Sequence, residues 1–171
     1  PVQTSAGARD QGVRLRDLDL DSICEPIVGN PRQQGVFRWS TDRSDWVRLP
    51  FTLPKGTAIV DEQGRDAGLR LVDIDEDGHA DVVFSNARRY SLHLFTSIAD
   101  GWSRKILGAD RSQKDEIPMI VRADGTNNGA WFAYRHMYVQ NEETGAKLPN
   151  HIDTRSYTQW LDGDIEPPAR S

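Results

Sequence analysis

Gly68-Leu69-Arg70-Leu71-Val72-Asp73-Ile74-Asp75-Glu76-Asp77 restates, further along the chain, the run Gly12-Val13-Arg14-Leu15-Arg16-Asp17-Leu18-Asp19-Leu20-Asp21. The spacing that separates Gly12 from Gly68 also relates Glu25 to Asp81, Ile27 to Val83, Asn30 to Asn86, Trp39 to Phe95 and Trp46 to Trp102. One spacing that holds without a gap from position 12 to position 46 marks a tandem repeat. Each copy reads as four short strands, because short apolar runs carry β-branched and aromatic members. In the second copy these runs are 69–72, 81–85, 92–96 and 102–107; in the first they are 13–16, 26–29, 36–40 and 46–49. Turn residues separate them, notably Asp77-Gly78 and Asp100-Gly101.

Working outward, 10–53 and 66–110 form two repeat units, joined by the Pro- and Gly-bearing segment 54–66. A third, degenerate unit is expected over 115–145, with 117–122 and 130–139 as two strands around the turn 124–129. Residues 146–171 read as a tail or linker, in which 152–161 is either a short helix or an irregular docking segment. The whole of 1–171 is therefore expected to be one all-β domain of antiparallel, four-stranded, propeller-type blades, a partial β-propeller. Three units are fewer than the usual four to eight or so of a closed propeller. The chain is thus expected to be a piece of a longer protein or to close against another molecule, and its first residue, Pro1, and its Pro-rich end agree with the former.

Composition excludes several functions. The net charge is −5, and much of the acidity is concentrated at 17–21 and 73–81, which argues against nucleic acid as a partner. Cys24 is the single cysteine, so no intramolecular disulfide forms. No apolar run reaches membrane-spanning length, so no membrane insertion is expected. There is no Gly-x-Ser-x-Gly, no His-Glu-x-x-His and no phosphate-binding glycine loop, which points away from an enzyme.

The loop Asp73-Ile74-Asp75-Glu76-Asp77-Gly78-His79-Ala80-Asp81 carries the chemistry. Calcium is a hard cation that takes about six to eight oxygen ligands. Asp73, Asp75 and Asp77 supply carboxylates at alternate positions, Gly78 permits the backbone reversal, His79 offers its carbonyl and Asp81 closes the set. The loop is not an EF-hand, since Phe84 stands where that motif has its bidentate Glu, and β-like runs flank it. The first unit repeats the pattern with Asp17, Asp19, Asp21, Ile23 at the place of His79, and Glu25. There Ser22 replaces the Gly, so a weaker site is expected. The third unit has Asp124-Gly125 without an acidic ladder, and its site is expected to be lost.

This run, followed by Val82-Val83-Phe84, resembles the calcium loop of FG-GAP and VCBS repeats, the blades of integrin α-subunit propellers and of many bacterial surface proteins. The resemblance covers about 10–50 and 66–108, and more loosely 115–140. It implies a non-catalytic, calcium-binding scaffolding or interaction module within a larger extracytoplasmic protein, partnered by protein or by other domains of the parent chain. The runs 121–129 and 166–171 are similar to a segment of large bacterial membrane-bound dehydrogenase-like proteins, which implies the alternative of an accessory segment of a redox enzyme. A third alternative is a carbohydrate-binding module that stacks glycans on exposed Trp. Trp39, Trp46, Trp102 and Trp131 are expected to pack between units, Cys24 to be a small packed residue, and His93 to face solvent from a strand.

Overall fold

A computed structural model describes residues 2–112 and 116–161. The chain is all-β and antiparallel. A small hairpin, β1 (Ser5–Ala6) with β2 (Arg9–Asp10), precedes a four-stranded sheet of β3 (Val13–Arg16), β4 (Glu25–Gly29), β5 (Gln34–Ser40) and β6 (Asp45–Arg48). The second sheet repeats that order with β7 (Leu69–Val72), β8 (Asp81–Ser85), β9 (Arg89–Leu94) and β10 (Arg104–Asp110). The third sheet has three strands, β11 (Ala130–Ala133), β12 (His136–Val139) and β13 (Asp153–Ser156). Helices α1 (Glu142–Lys147) and α2 (Tyr157–Leu161) flank β13. Neither is long and apolar enough to cross a membrane.

The sheets bury their faces against one another. One apolar cluster joins Leu18, Ile27, Val36 and Leu53 of the first unit to Leu69, Val82, Phe84, Phe95 and Trp102 of the second. The other joins Ile74, Val83, Leu92 and Leu94 of the second to Met137, Val139, Tyr157, Trp160 and Leu161 of the third. The middle sheet is thus covered on both sides, which is why every residue of β8 is buried.

A recurring glycine fixes how each unit begins. Gly12, Gly68 and Gly129 all have positive φ (67°, 97° and 74°). A Cβ on any of them would collide with the carbonyl of Gly29, Ser85 or Gln140 respectively. Those three residues each donate a backbone hydrogen bond to the glycine carbonyl, at 2.8, 3.0 and 3.0 Å. An acid or amide two residues earlier (Asp10, Asp66, Asn127) accepts from each glycine N–H. Asn30, Asn86 and Asn141 then donate to the backbone just before the glycine. The third unit is therefore a true repeat that opens on Gly129, although its spacing from Gly68 is longer than that between Gly12 and Gly68.

That register corrects the expected layout of 115–145. Residues 117–122 form no strand. Ile120 and Val121 instead donate to the Ser85 carbonyl, as Ile59 and Val60 donate to that of Gly29. The two strands of this unit are β11 and β12, turning at Tyr134-Arg135, whose φ values of 50° and 64° fit a tight type I′ hairpin. The stretch 146–161, expected as tail, is integrated: β13 pairs with β12, and Tyr157, Trp160 and Leu161 enter the core. Residues 162–171, including the stretch similar to dehydrogenase-like proteins, lie outside the described residues.

Three side-chain expectations are corrected. Trp39 and Trp46 are 37% and 45% exposed, whereas Trp102 is 4% exposed. Trp131 is 40% exposed, and Cys24 is exposed. The first and third sheets each have a face that no described residue covers, and Trp39, Trp46 and Trp131 lie on these strands at the two ends of the stack, whereas Cys24 lies in the loop before β4. His93 departs the other way. It is half-buried between Val82 and Lys105 in the middle sheet, and burial pushes its pKa down to about 4.

Candidate metal centre

The β7–β8 loop is built around a buried carboxylate. Asp81 pairs with Val72 across the hairpin, so its side chain sits at the base of the loop. Its Oδ2 accepts from the Ile74 N–H and its Oδ1 from the Phe95 N–H, both at 2.8 Å. One side chain thereby ties the loop to its own strand and to the end of β9. Asp73 Oδ2 accepts from Gly78 N–H at 3.0 Å, and Asp77 Oδ1 from His79 N–H at 2.8 Å. Glu76 and Gly78 occupy positive φ, 63° and 95°, and these two reversals curl the chain back over its carboxylates.

Asp73, Asp75 and Asp81 each bring one carboxylate oxygen to within 4.8 Å of the others. Asp73 Oδ1 and Asp75 Oδ1 are buried without a hydrogen-bond partner. Two unit charges at such a separation repel by about 3–4 kcal/mol at an effective dielectric constant of about 20. The proton equilibria register this. Burial, and then the charges of Asp75 and Asp77, push Asp81 up to about 7 against the pull of its two backbone donors. Burial and the charges of Asp77 and Asp73 also raise Asp75. Orphaned oxygens, close spacing and raised carboxyl pKa values describe an all-oxygen cage suited to a hard cation.

The first loop reproduces most of this, without a counterpart to the Phe95 bond. Glu25 Oε2 accepts from Leu18 N–H at 2.8 Å, as Asp81 does from Ile74. Asp17 Oδ2 accepts from Ser22 N–H at 2.9 Å, and Asp21 Oδ1 from Ile23 N–H at 2.8 Å. Leu20 and Ser22 take φ of 61° and 72°, so serine adopts the reversal that glycine makes in the second loop. Asp17, Asp19 and Glu25 form the matching three-oxygen group within 4.8 Å. Asp17 Oδ1 and the buried Glu25 Oε1 lack partners, and burial, with Asp19, Asp21 and Asp17 around it, raises Glu25.

Of the residues expected as ligands, the structure gathers Asp73, Asp75 and Asp81, and Asp17, Asp19 and Glu25. Asp77 and Asp21 stand outside those two groups, each engaged by the backbone two residues on. His79 and Ile23 were expected through their backbone carbonyls, which these side-chain groups do not include. The His79 ring has a further contact: its Nδ1 donates to the Leu18 carbonyl at 2.8 Å while the ring stacks on Phe95. In the third unit the long loop between the first two strands, 17–24 and 73–80 in the other units, shrinks to Tyr134 and Arg135, which removes every ligand. Arg135 Nε instead lies 3.2 Å from Glu76 Oε1 of the second loop. The three hairpin tips are thus joined in a row.

Sequence reading missed Arg38. Its Nη2 lies 2.8 Å from Asp19 Oδ2 and 3.3 Å from Asp21 Oδ2. The signal was present, because its match in the second unit, position 94, is Leu. Comparison of the chain with family models, with curated proteins and with solved structures returns no match.

Proposed function

We propose that this chain is a non-catalytic calcium-binding repeat module of FG-GAP/VCBS type, serving scaffolding or protein interaction within a larger extracytoplasmic protein. The observation that carries the reading is the duplicated cage. Two loops at matching positions of the repeat place three carboxylates on one point and leave buried oxygens unpartnered in each. Oxygen-only donors on a flexible loop suit calcium better than magnesium, which demands tighter octahedral geometry and gives up water reluctantly. Extracellular calcium modules bind with dissociation constants of about 10⁻⁴–10⁻³ M, which places such a loop where calcium is roughly millimolar. In that setting each ion contributes about 0.4–1.4 kcal/mol by mass action.

The interaction role draws support from the uncovered first sheet. Leu71, Phe95 and Trp102 of the second unit pack toward the first. Their counterparts Leu15, Trp39 and Trp46 are exposed. The same face that is a seam inside the chain is therefore open at its edge, and another β-unit fits it. The Trp39–Trp46 pair meets edge-on at 5.5 Å, as do Phe95 and Trp102 at 5.7 Å, which supports reading this as a packing face.

Native mass spectrometry of the chain in graded calcium tests the reading. Two ions per chain are expected near millimolar calcium, with magnesium at the same concentration failing to displace them. No bound calcium at several millimolar, or equal retention of magnesium, overturns it.

A further inference from the structure

We propose that Arg38 is a resident competitor for the first loop, so that calcium affinity there is set by an ion pair within the protein and not by Ser22. This inference rests on the calcium reading above and deepens it by assigning what separates the two sites. The two loops share their backbone course: Leu20 and Ser22 share the positive φ of Glu76 and Gly78, and three carboxylate-to-amide hydrogen bonds recur, those to Leu18, Ser22 and Ile23 matching those to Ile74, Gly78 and His79. Serine has already adopted the reversal, so the loop needs no rearrangement that glycine would have spared it.

The difference lies one strand away. Arg38 on β5 extends its guanidinium over the first loop and places one nitrogen on both Asp19 and Asp21. Its match on β9, Leu94, is buried in the apolar cluster between the second and third units and offers Asp75 no charge. Asp19 belongs both to the three-oxygen group and to the Arg38 pair. A divalent ion and the guanidinium therefore draw on the same carboxylate, and binding of one weakens the other. Glu25 reinforces the point that a cage remains beneath. It is fully buried, its Oε2 is spent on Leu18, and its Oε1 has no partner. Arg38 does not reach that oxygen, so the pair neutralises the rim of the site and leaves its floor unsatisfied.

Arg38 is partly exposed, and exposed pairs contribute modestly. Replacing it by the leucine of the second unit is expected to tighten the first site by about threefold to tenfold. The test is calcium calorimetry on the whole chain carrying Arg38→Leu or Arg38→Lys, each with the second loop intact and again with it silenced by Asp75→Asn. With both loops active, Arg38→Leu should tighten the weaker of two phases and leave the stronger unchanged. With the second loop silenced, the same gain should appear in a single phase, and Arg38→Lys, which keeps the charge, should show little of it. A weaker phase left unchanged or weakened further in Arg38→Leu, or an equal gain in Arg38→Lys, overturns the proposal. Absence of the stronger phase in the unsubstituted chain instead overturns the calcium reading itself. Melting in chelator shows whether Arg38→Leu remains folded. If it does not, Arg38→Gln takes its place with the same expected direction.

Discussion

Replacing Asp75 by Asn changes one oxygen to an amide nitrogen and removes one charge from the second cage. In chelator the structure predicts that this variant is no less stable than the parent. Asp75 Oδ1 accepts no hydrogen bond, and the carboxylate stands among Asp73, Asp77 and Asp81. Gross repulsion of about 3–4 kcal/mol per close pair is reduced by solvent, because Asp75 is only half-buried. A net gain of about 1 kcal/mol is expected, or roughly 2–4 °C in melting temperature for a chain of this size. In about 10 mM calcium the order reverses. A parent site with a dissociation constant of about 10⁻⁴–10⁻³ M gains about 1.4–2.7 kcal/mol. That is roughly 3–11 °C, and Asp75→Asn forfeits most of it. Thermal melts followed by near-ultraviolet circular dichroism, with and without chelator, read both signs. A variant clearly less stable than the parent in chelator, or one that gains as much from calcium, refutes the reasoning.

The pH dependence in chelator has a definite sign. Asp81 is raised to about 7 in the folded chain from its ordinary 3.8, so the folded state holds a proton that the unfolded state has lost. Stability without calcium should therefore fall as pH rises from about 4 to about 7, and the increment from calcium should grow over the same window; urea titrations at several pH values check this. Gly129→Ala should cost about 2–4 kcal/mol, because φ is +74° and the new Cβ meets the Gln140 carbonyl, whereas Gly145→Ala, with open space around it in α1, should be neutral or mildly stabilising. Trp102→Ala should cost about 3–5 kcal/mol in chemical unfolding, since the indole packs on Phe51 and Phe95 and donates to the Ala80 carbonyl at 2.7 Å. Trp46→Ala, at the matching but exposed position, should cost about 1 kcal/mol or less.

The two four-stranded sheets were legible because a single spacing carries through their first three strands and both loops, and only the fourth strand, β10, starts later than β6 predicts. The third was not, because the shortened hairpin loop broke that spacing. Gly129 follows Gly68 by more than one repeat length, whereas Asn141 follows Asn86 by slightly less than one. The apolar pair Ile120-Val121 then passed for a strand, although it matches Ile59-Val60 of the connecting segment, which does not read as one. At the site, the alternating acids located both cages, since carboxylate spacing along a loop is a local property. What lay beyond reach was contact between distant positions: Phe95 N–H closing on Asp81, Arg38 reaching Asp19, and His79 reaching Leu18. Trp39 and Trp46 misled because their counterparts Phe95 and Trp102 are covered by the first unit, whereas no described residue covers the outer face of the first sheet.

The row of hairpin tips also bears on how the molecule comes apart. His79 reaches back to Leu18 and Glu76 forward to Arg135, so the second loop grips both neighbours from one end of the stack. On the proposed calcium reading, withdrawing the ion would slacken more than one hairpin, because both grips originate within the loop whose carboxylates would hold it. Tension applied across the units would then open them from that rim, in the manner of a seam whose first stitch has been cut.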